Sequence, residues 1–100
     1  MIERLVSIHP EALDEAAAAT KWYAKRSPRA AELFLDEIDR LIARISLNAE
    51  QFPVFERGTR RALFRRFPYH IVFRDVNAGI EVVAVSHGRR QPGYWRDRLS

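Results

Sequence analysis

Beyond residue 58 the spacing of apolar residues changes from helical to strand-like. Leu5, Val6 and Ile8 form a short first run that stops at His9-Pro10, where proline removes a backbone donor, and this predicts a strand. Pro10 then suits the first helical position, and Glu11, Asp14 and Glu15 put negative charge in the early turns, where the helix dipole favours it. Leu13, Ala16, Ala17, Thr20 and Tyr23 follow helical spacing, so a first helix is expected over residues 10–26. Ser27-Pro28 repeats the start signal, with serine as N-cap and proline behind it, and begins a second helix. In that helix Ala31, Phe34, Ile38, Leu41 and Ile45, widened by Leu35 and Ile42, make one broad apolar face that reads as core. So short a link makes the two helices antiparallel neighbours.

Residues 48–58 hold Pro53 and Gly58, show no period, and read as a loop. Strands are expected over 60–66, 70–76 and 80–86, with Phe67-Pro68-Tyr69 as one turn and Asn77-Ala78-Gly79 as a hairpin. The pattern predicts an α+β fold in the order β-α-α-β-β-β. A two-helix N-terminal hairpin packs on a small antiparallel sheet of three to four strands, and residues 96–100 form a short C-terminal helix or tail. All of it fits one domain spanning residues 1–100.

Composition narrows the chemistry. With no cysteine there is no disulfide framework, and His9, His70 and His87 lack the spacing of a zinc site, so neither metal nor cofactor is expected. No apolar stretch approaches the roughly 20 residues that cross a bilayer, and the start lacks the basic and apolar segments of a secretory leader. A cytoplasmic protein without a membrane partner is the expectation. The net charge of +4 is unevenly placed: residues 1–56 carry 7 basic against 10 acidic side chains, residues 57–100 carry 10 against 3. Fifteen of the 17 basic residues are arginine. This predicts distal arginines gathered on one exposed patch, facing a polyanion or an acidic partner.

Two segments concentrate the chemistry: Arg65-Arg66-Phe67-Pro68-Tyr69-His70, opening the middle strand, and His87-Gly88-Arg89-Arg90-Gln91-Pro92-Gly93-Tyr94-Trp95, closing the last. Behind a helix hairpin, in this order and spacing, they resemble the RelE/ParE superfamily of toxins from bacterial type II toxin-antitoxin modules, and the resemblance covers nearly the whole chain. It implies a growth-inhibiting toxin of plasmid-stabilisation type, neutralised in a hetero-oligomer by a cognate antitoxin whose acidic or amphipathic segment wraps it. The target divides the superfamily: ParE-like members inhibit DNA gyrase and RelE-like members cut ribosome-bound messenger RNA, so the second alone are enzymes.

Cutting beside a ribose needs a base for the 2′-hydroxyl, cations for the phosphate and an acid for the leaving oxygen. His87, Arg89 and Tyr94 are the catalytic candidates on that reading, and Arg61, Arg65, His70, Arg89 and Arg90 are candidates for nucleic-acid or target binding. The chain departs from RelE-like nucleases in three ways. His70 stands where they carry an arginine, Tyr94 meets their C-terminal tyrosine only across a one-residue gap, and their catalytic lysines have no counterpart after Lys25. The His87-x-Arg89 ending and the long helix hairpin resemble ParE-like members more closely, which favours gyrase inhibition. Ribosome-dependent cleavage and a degenerate, non-toxic binding module are the alternatives. Trp22 and Tyr23 are assigned to packing or antitoxin contact, Tyr69, Tyr94 and Trp95 to anchoring the turn and tail on the sheet. Arg74, Arg96 and Arg98 are expected to be solvated or paired with Asp75 and Asp97.

Overall fold

A computed structural model describes residues 3–100. Strand β1 (Leu5–Ile8) leads into helices α1 (Pro10–Arg26) and α2 (Pro28–Leu47), followed by strands β2 (Arg60–Leu63), β3 (Tyr69–Val76) and β4 (Gly79–His87). Single 3-10 turns occur at Ala49–Gln51, Glu56–Gly58 and Arg96–Leu99. Both helices carry proline in the first turn, as expected. His9 Nδ1 accepts the amide of Glu11 at 3.1 Å ahead of α1. Ser27 serves both helices: its amide donates to Tyr23 O and its Oγ accepts the amide of Ala30. A one-residue joint therefore reverses the chain.

The stripe Ala31, Phe34, Ile38, Leu41 and Ile45 of α2 is buried against the sheet, with Leu35 exposed at its rim. Helix α1 differs from expectation: its buried positions are Ala12 and Ala19, while Leu13 and Ala17 face outward. Alanines on several sides of this helix leave its period ambiguous, and close packing against α2 and β4 selects the side with small residues.

Strands β2, β3 and β4 form the expected antiparallel meander. Strand β1 pairs with β4 in parallel, Val6 beside Ile80, so the sheet is mixed, in the order β1-β4-β3-β2. Because β1 runs straight into α1 it has no hairpin neighbour, and it takes the open edge of β4. That pairing is close enough that a Cβ at Gly79 would strike the carbonyl oxygen of Leu5. Strand β2 ends earlier than predicted, at Leu63, because Glu37 of α2 accepts the amides of Arg65 (2.6 Å) and Arg66 (3.0 Å) and draws the chain into a turn. A bulge in β4 sets Val72 opposite Ala84 and Phe73 opposite Val82. Val83 and Ala84 thereby both join a second cluster, with Val72, beneath Trp95. One sheet face thus carries the helices and the other carries the tail.

The tail is tied down by a clasp on β4. Beyond Val82, whose carbonyl accepts the amide of His9, β1 no longer accompanies β4. There Arg98 Nη1 donates to Val83 O at 3.0 Å and Val85 N donates to Glu15 Oε1 at 3.0 Å. Two side chains supply what a neighbouring strand would otherwise supply. They also bond each other through two guanidinium–carboxylate contacts of 2.9 Å, and Tyr94 Oη donates to Glu15 Oε2 at 2.6 Å. Arg98 and Glu15 are only 9% and 15% exposed. The expected pairing of the distal arginines is corrected accordingly. Arg98 bonds Glu15, Arg96 bonds Glu56, and Arg74 bonds Glu81 and Leu99 O, while Asp75 pairs with Arg4.

Burial pushes the Glu15 carboxyl up, but the bonds from Arg98, Tyr94 and the Val85 amide outweigh it and hold the group below its ordinary value. Tyr94 goes the other way: burial and the Glu15 carboxylate push its phenol up to about 12.

Two outcomes are expected. Gly79→Val should detach β1 and cost about 1–3 kcal/mol in a urea titration, and Gly58→Ala, although its Cβ would meet no neighbour, should cost about 1–2 kcal/mol because Gly58 sits in the left-handed region at φ +76°. Glu15→Gln should cost about 3 kcal/mol near neutral pH by leaving the largely buried Arg98 with only its longer 3.7 Å carboxylate contact, to Glu11. Because the folded carboxyl value is depressed, the native stabilisation is present above the unfolded value and is lost as pH falls below about 4. Melting curves of the native protein should fall towards those of Glu15→Gln there, and parallel curves at all pH values would contradict the clasp.

Candidate functional site

The sequence-predicted residues are distributed over both sides of the sheet. On the helix side a cleft of about 530 Å³ opens between α1 and the ends of β3 and β4, lined by Trp22, Tyr23, Tyr69, His87 and Arg90, with Glu15 among its walls. Tyr23 belongs to an aromatic group with Phe34, Phe67 and Tyr69, its ring centroid 4.8 Å from that of Phe67. Trp22 is 50% exposed and carries the Arg26 guanidinium 4.0 Å above its ring. Tyr69 meets His87 edge to face at 5.0 Å. The two loops at this end are fastened by the amide of Gly88, which donates to Pro68 O at 2.7 Å. Within the second loop His87 Nδ1 accepts the amide of Arg89 at 3.0 Å, and the Arg90 guanidinium lies 3.7 Å over the ring of Tyr94.

Arg61 and His70 lie on the opposite face. Alternation along β2 and β3 puts Arg61 with Leu63 and His70 with Val72 on the side away from the helices. Arg61 is held 4.6 Å over Phe55, whose ring also faces His70 and Trp95 at 6.2 and 6.0 Å. Partial burial, and then the Arg61 charge, lower the His70 pKa, so the ring is neutral at neutral pH. Arg65 is exposed in the turn that Glu37 holds. The expectation of one arginine patch is therefore corrected. Arg60, Arg74, Arg96 and Arg98 are engaged in holding the fold, Arg90 borders the cleft, and Arg61 belongs to the far face.

Of the three catalytic candidates, His87 and Arg89 are joined through the backbone, and Tyr94 reaches the same end of the sheet. The Tyr94 hydroxyl donates a hydrogen bond to Glu15 and remains protonated at neutral pH. Binding features are more developed here than acid–base ones: a concave aromatic wall with cations at its rim, and a fixed guanidinium on the far face. Glu15, Arg98, Glu37 and Phe55 position these groups and were missed from sequence. Glu15, Arg98 and Glu37 act across 15 to 83 residues, Phe55 reaches His70 across 15, and no local motif announces such partners. Among the described residues no helix is long and apolar enough to cross a membrane.

Residues 6–92 match the family described as the ParE toxin of the type II toxin-antitoxin system parDE. The chain is 27% identical over 93 residues to Toxin ParE2 of Mycobacterium tuberculosis, in both strain CDC 1551 and strain H37Rv. The alignment covers 89% of this chain and 86% of that protein. Among solved structures it superposes on a chain of the chromosomal ParDE toxin-antitoxin system from P. aeruginosa with a TM-score of 0.74 at 18% identity, covering 85% of this chain and 96% of the other. That likeness is one of fold. The family implies an antitoxin as partner, and the hairpin, the meander and the start of the loop after β4, as far as Pro92, fall within the matched span. The chain belongs to the ParE toxin family of type II toxin-antitoxin systems.

Proposed function

We propose that this toxin arrests growth in the cytoplasm by binding and inhibiting DNA gyrase, and that a cognate antitoxin neutralises it by seating an amphipathic segment against Trp22 and Tyr23. The observation that carries the gyrase reading is the engagement of Tyr94. A Tyr94 that served as acid or base in message cleavage would need its hydroxyl free to exchange a proton, whereas here it is bonded to Glu15 with its pKa pushed up to about 12. Membership of the ParE family supports the same choice. On this reading Arg61, Arg65, His70, Arg89 and Arg90 are contacts to the target, and His87 shapes the loop that presents Arg89. The antitoxin side draws support from the cleft itself, whose apolar floor suits an aliphatic or aromatic anchor and whose Arg90 suits a neighbouring carboxylate.

A supercoiling assay with purified gyrase and relaxed plasmid tests this. The protein should block supercoiling and leave translation of a supplied message intact. Tyr94→Phe, checked for a native melting curve, should inhibit gyrase about as well as the unmodified protein. If Tyr94 were the acid or base of a nuclease, the same variant would lose about 10²-fold or more in message cleavage. Ribosome-dependent cutting with supercoiling untouched would overturn the proposal.

A further inference from the structure

The sheet face opposite the helices is covered over only part of its width. Trp95, with Phe55 beside it, lies over Val72, Val83 and Ala84. Towards β2 the cover stops: Leu63, in register with His70, is 61% exposed, in the company of Arg61. An aliphatic side chain of that size in the open on a strand has no role in the core. Arg61 next to it has no carboxylate partner among the described residues and is fixed instead by the ring of Phe55. A guanidinium already immobilised beside exposed apolar surface loses little freedom when a partner binds, which is the character of an interface anchor.

We propose that the toxin docks on its target through this half-covered face, by Arg61, Leu63 and His70, and that the partner is a protein surface presenting an apolar contact beside a carboxylate. Charge complementarity sets the carboxylate: Arg61 is uncompensated, and the His70 imidazole adds a polar group without a competing negative charge. The apolar contact follows from Leu63. A single-stranded nucleic acid fits less well, since base stacking needs an open aromatic face and the Phe55 ring lies between Arg61 and Trp95. The face also lies across the sheet from the Trp22–Tyr23 cleft, so Arg61, Leu63 and His70 meet the target without entering the cleft assigned to the antitoxin, which Arg90 borders. The proposal rests on the gyrase reading only for which protein supplies the partner surface.

Its test uses two variants of exposed or half-exposed residues, Arg61→Glu and Leu63→Asp, with Arg29→Glu on the N-terminal turn of α2 as a control for net charge. Each is induced alone in cells, and each purified protein is titrated into the gyrase supercoiling assay after its melting curve is shown to match the unmodified protein. The first two should lose about tenfold or more in inhibitory potency and allow growth on induction, while Arg29→Glu should behave as the unmodified toxin. Growth arrest undiminished in both variants would overturn the docking face. So would ribosome-dependent message cleavage that both variants abolish, because the partner would then be nucleic acid. If the unmodified protein arrests growth but leaves supercoiling intact, the gyrase reading fails, and the growth of the two variants still decides the face.

Discussion

Strand β4 continues past the strand that pairs with its outer edge, and the fold depends on how that edge is completed. Unpaired backbone groups at the edge of a sheet must find partners or invite another chain. Val83 O and Val85 N find theirs in Arg98 and Glu15, which are 83 residues apart and bonded to each other. From that pairing follow the path of the tail, the placing of Trp95 over the second face, and the position of Tyr94 beneath Arg90. The ion pair completes the sheet and ties together the two parts of the chain that border the cleft.

The same pairing changes the meaning of the charge distribution. The acidic balance of residues 1–56 and the basic balance of residues 57–100 suggest a polarised surface. In the folded molecule Glu15 meets Arg98 and Glu56 meets Arg96, so part of the imbalance records ion pairs made between the two halves. Arg57, Arg61, Arg65, Arg66, Arg89 and Arg90 remain without carboxylate partners among the described residues. Their field is weaker and more divided than the composition alone implies.

Features set by neighbouring residues were legible in the sequence. Ser27-Pro28 fixed the joint of the hairpin, the three-and-four spacing of α2 fixed its buried stripe, and Asn77-Ala78-Gly79 fixed the turn between β3 and β4. Features set by distant partners were not. The early end of β2 depends on Glu37, the roles of Arg74, Arg96 and Arg98 depend on acids elsewhere, and the bulge at Val83-Ala84 is hidden because both residues are apolar. For the site, Trp22, Tyr23, His87 and Arg90 were legible as candidates, but their convergence required the packing of α1 on the end of β4. Tyr69 and His70 are adjacent in a strand and so must face opposite ways. That alternation alone separates His70 from the cleft.

The small contact between His87 and the amide of Arg89 constrains anything that enters the cleft. A ring nitrogen that accepts a backbone N–H cannot also carry a proton, so the neutral imidazole must hold its hydrogen on Nε2. The tautomer is thus chosen by the loop before any visitor arrives. Whatever approaches that nitrogen from outside encounters a donor, and a carbonyl or carboxylate is the complement it selects.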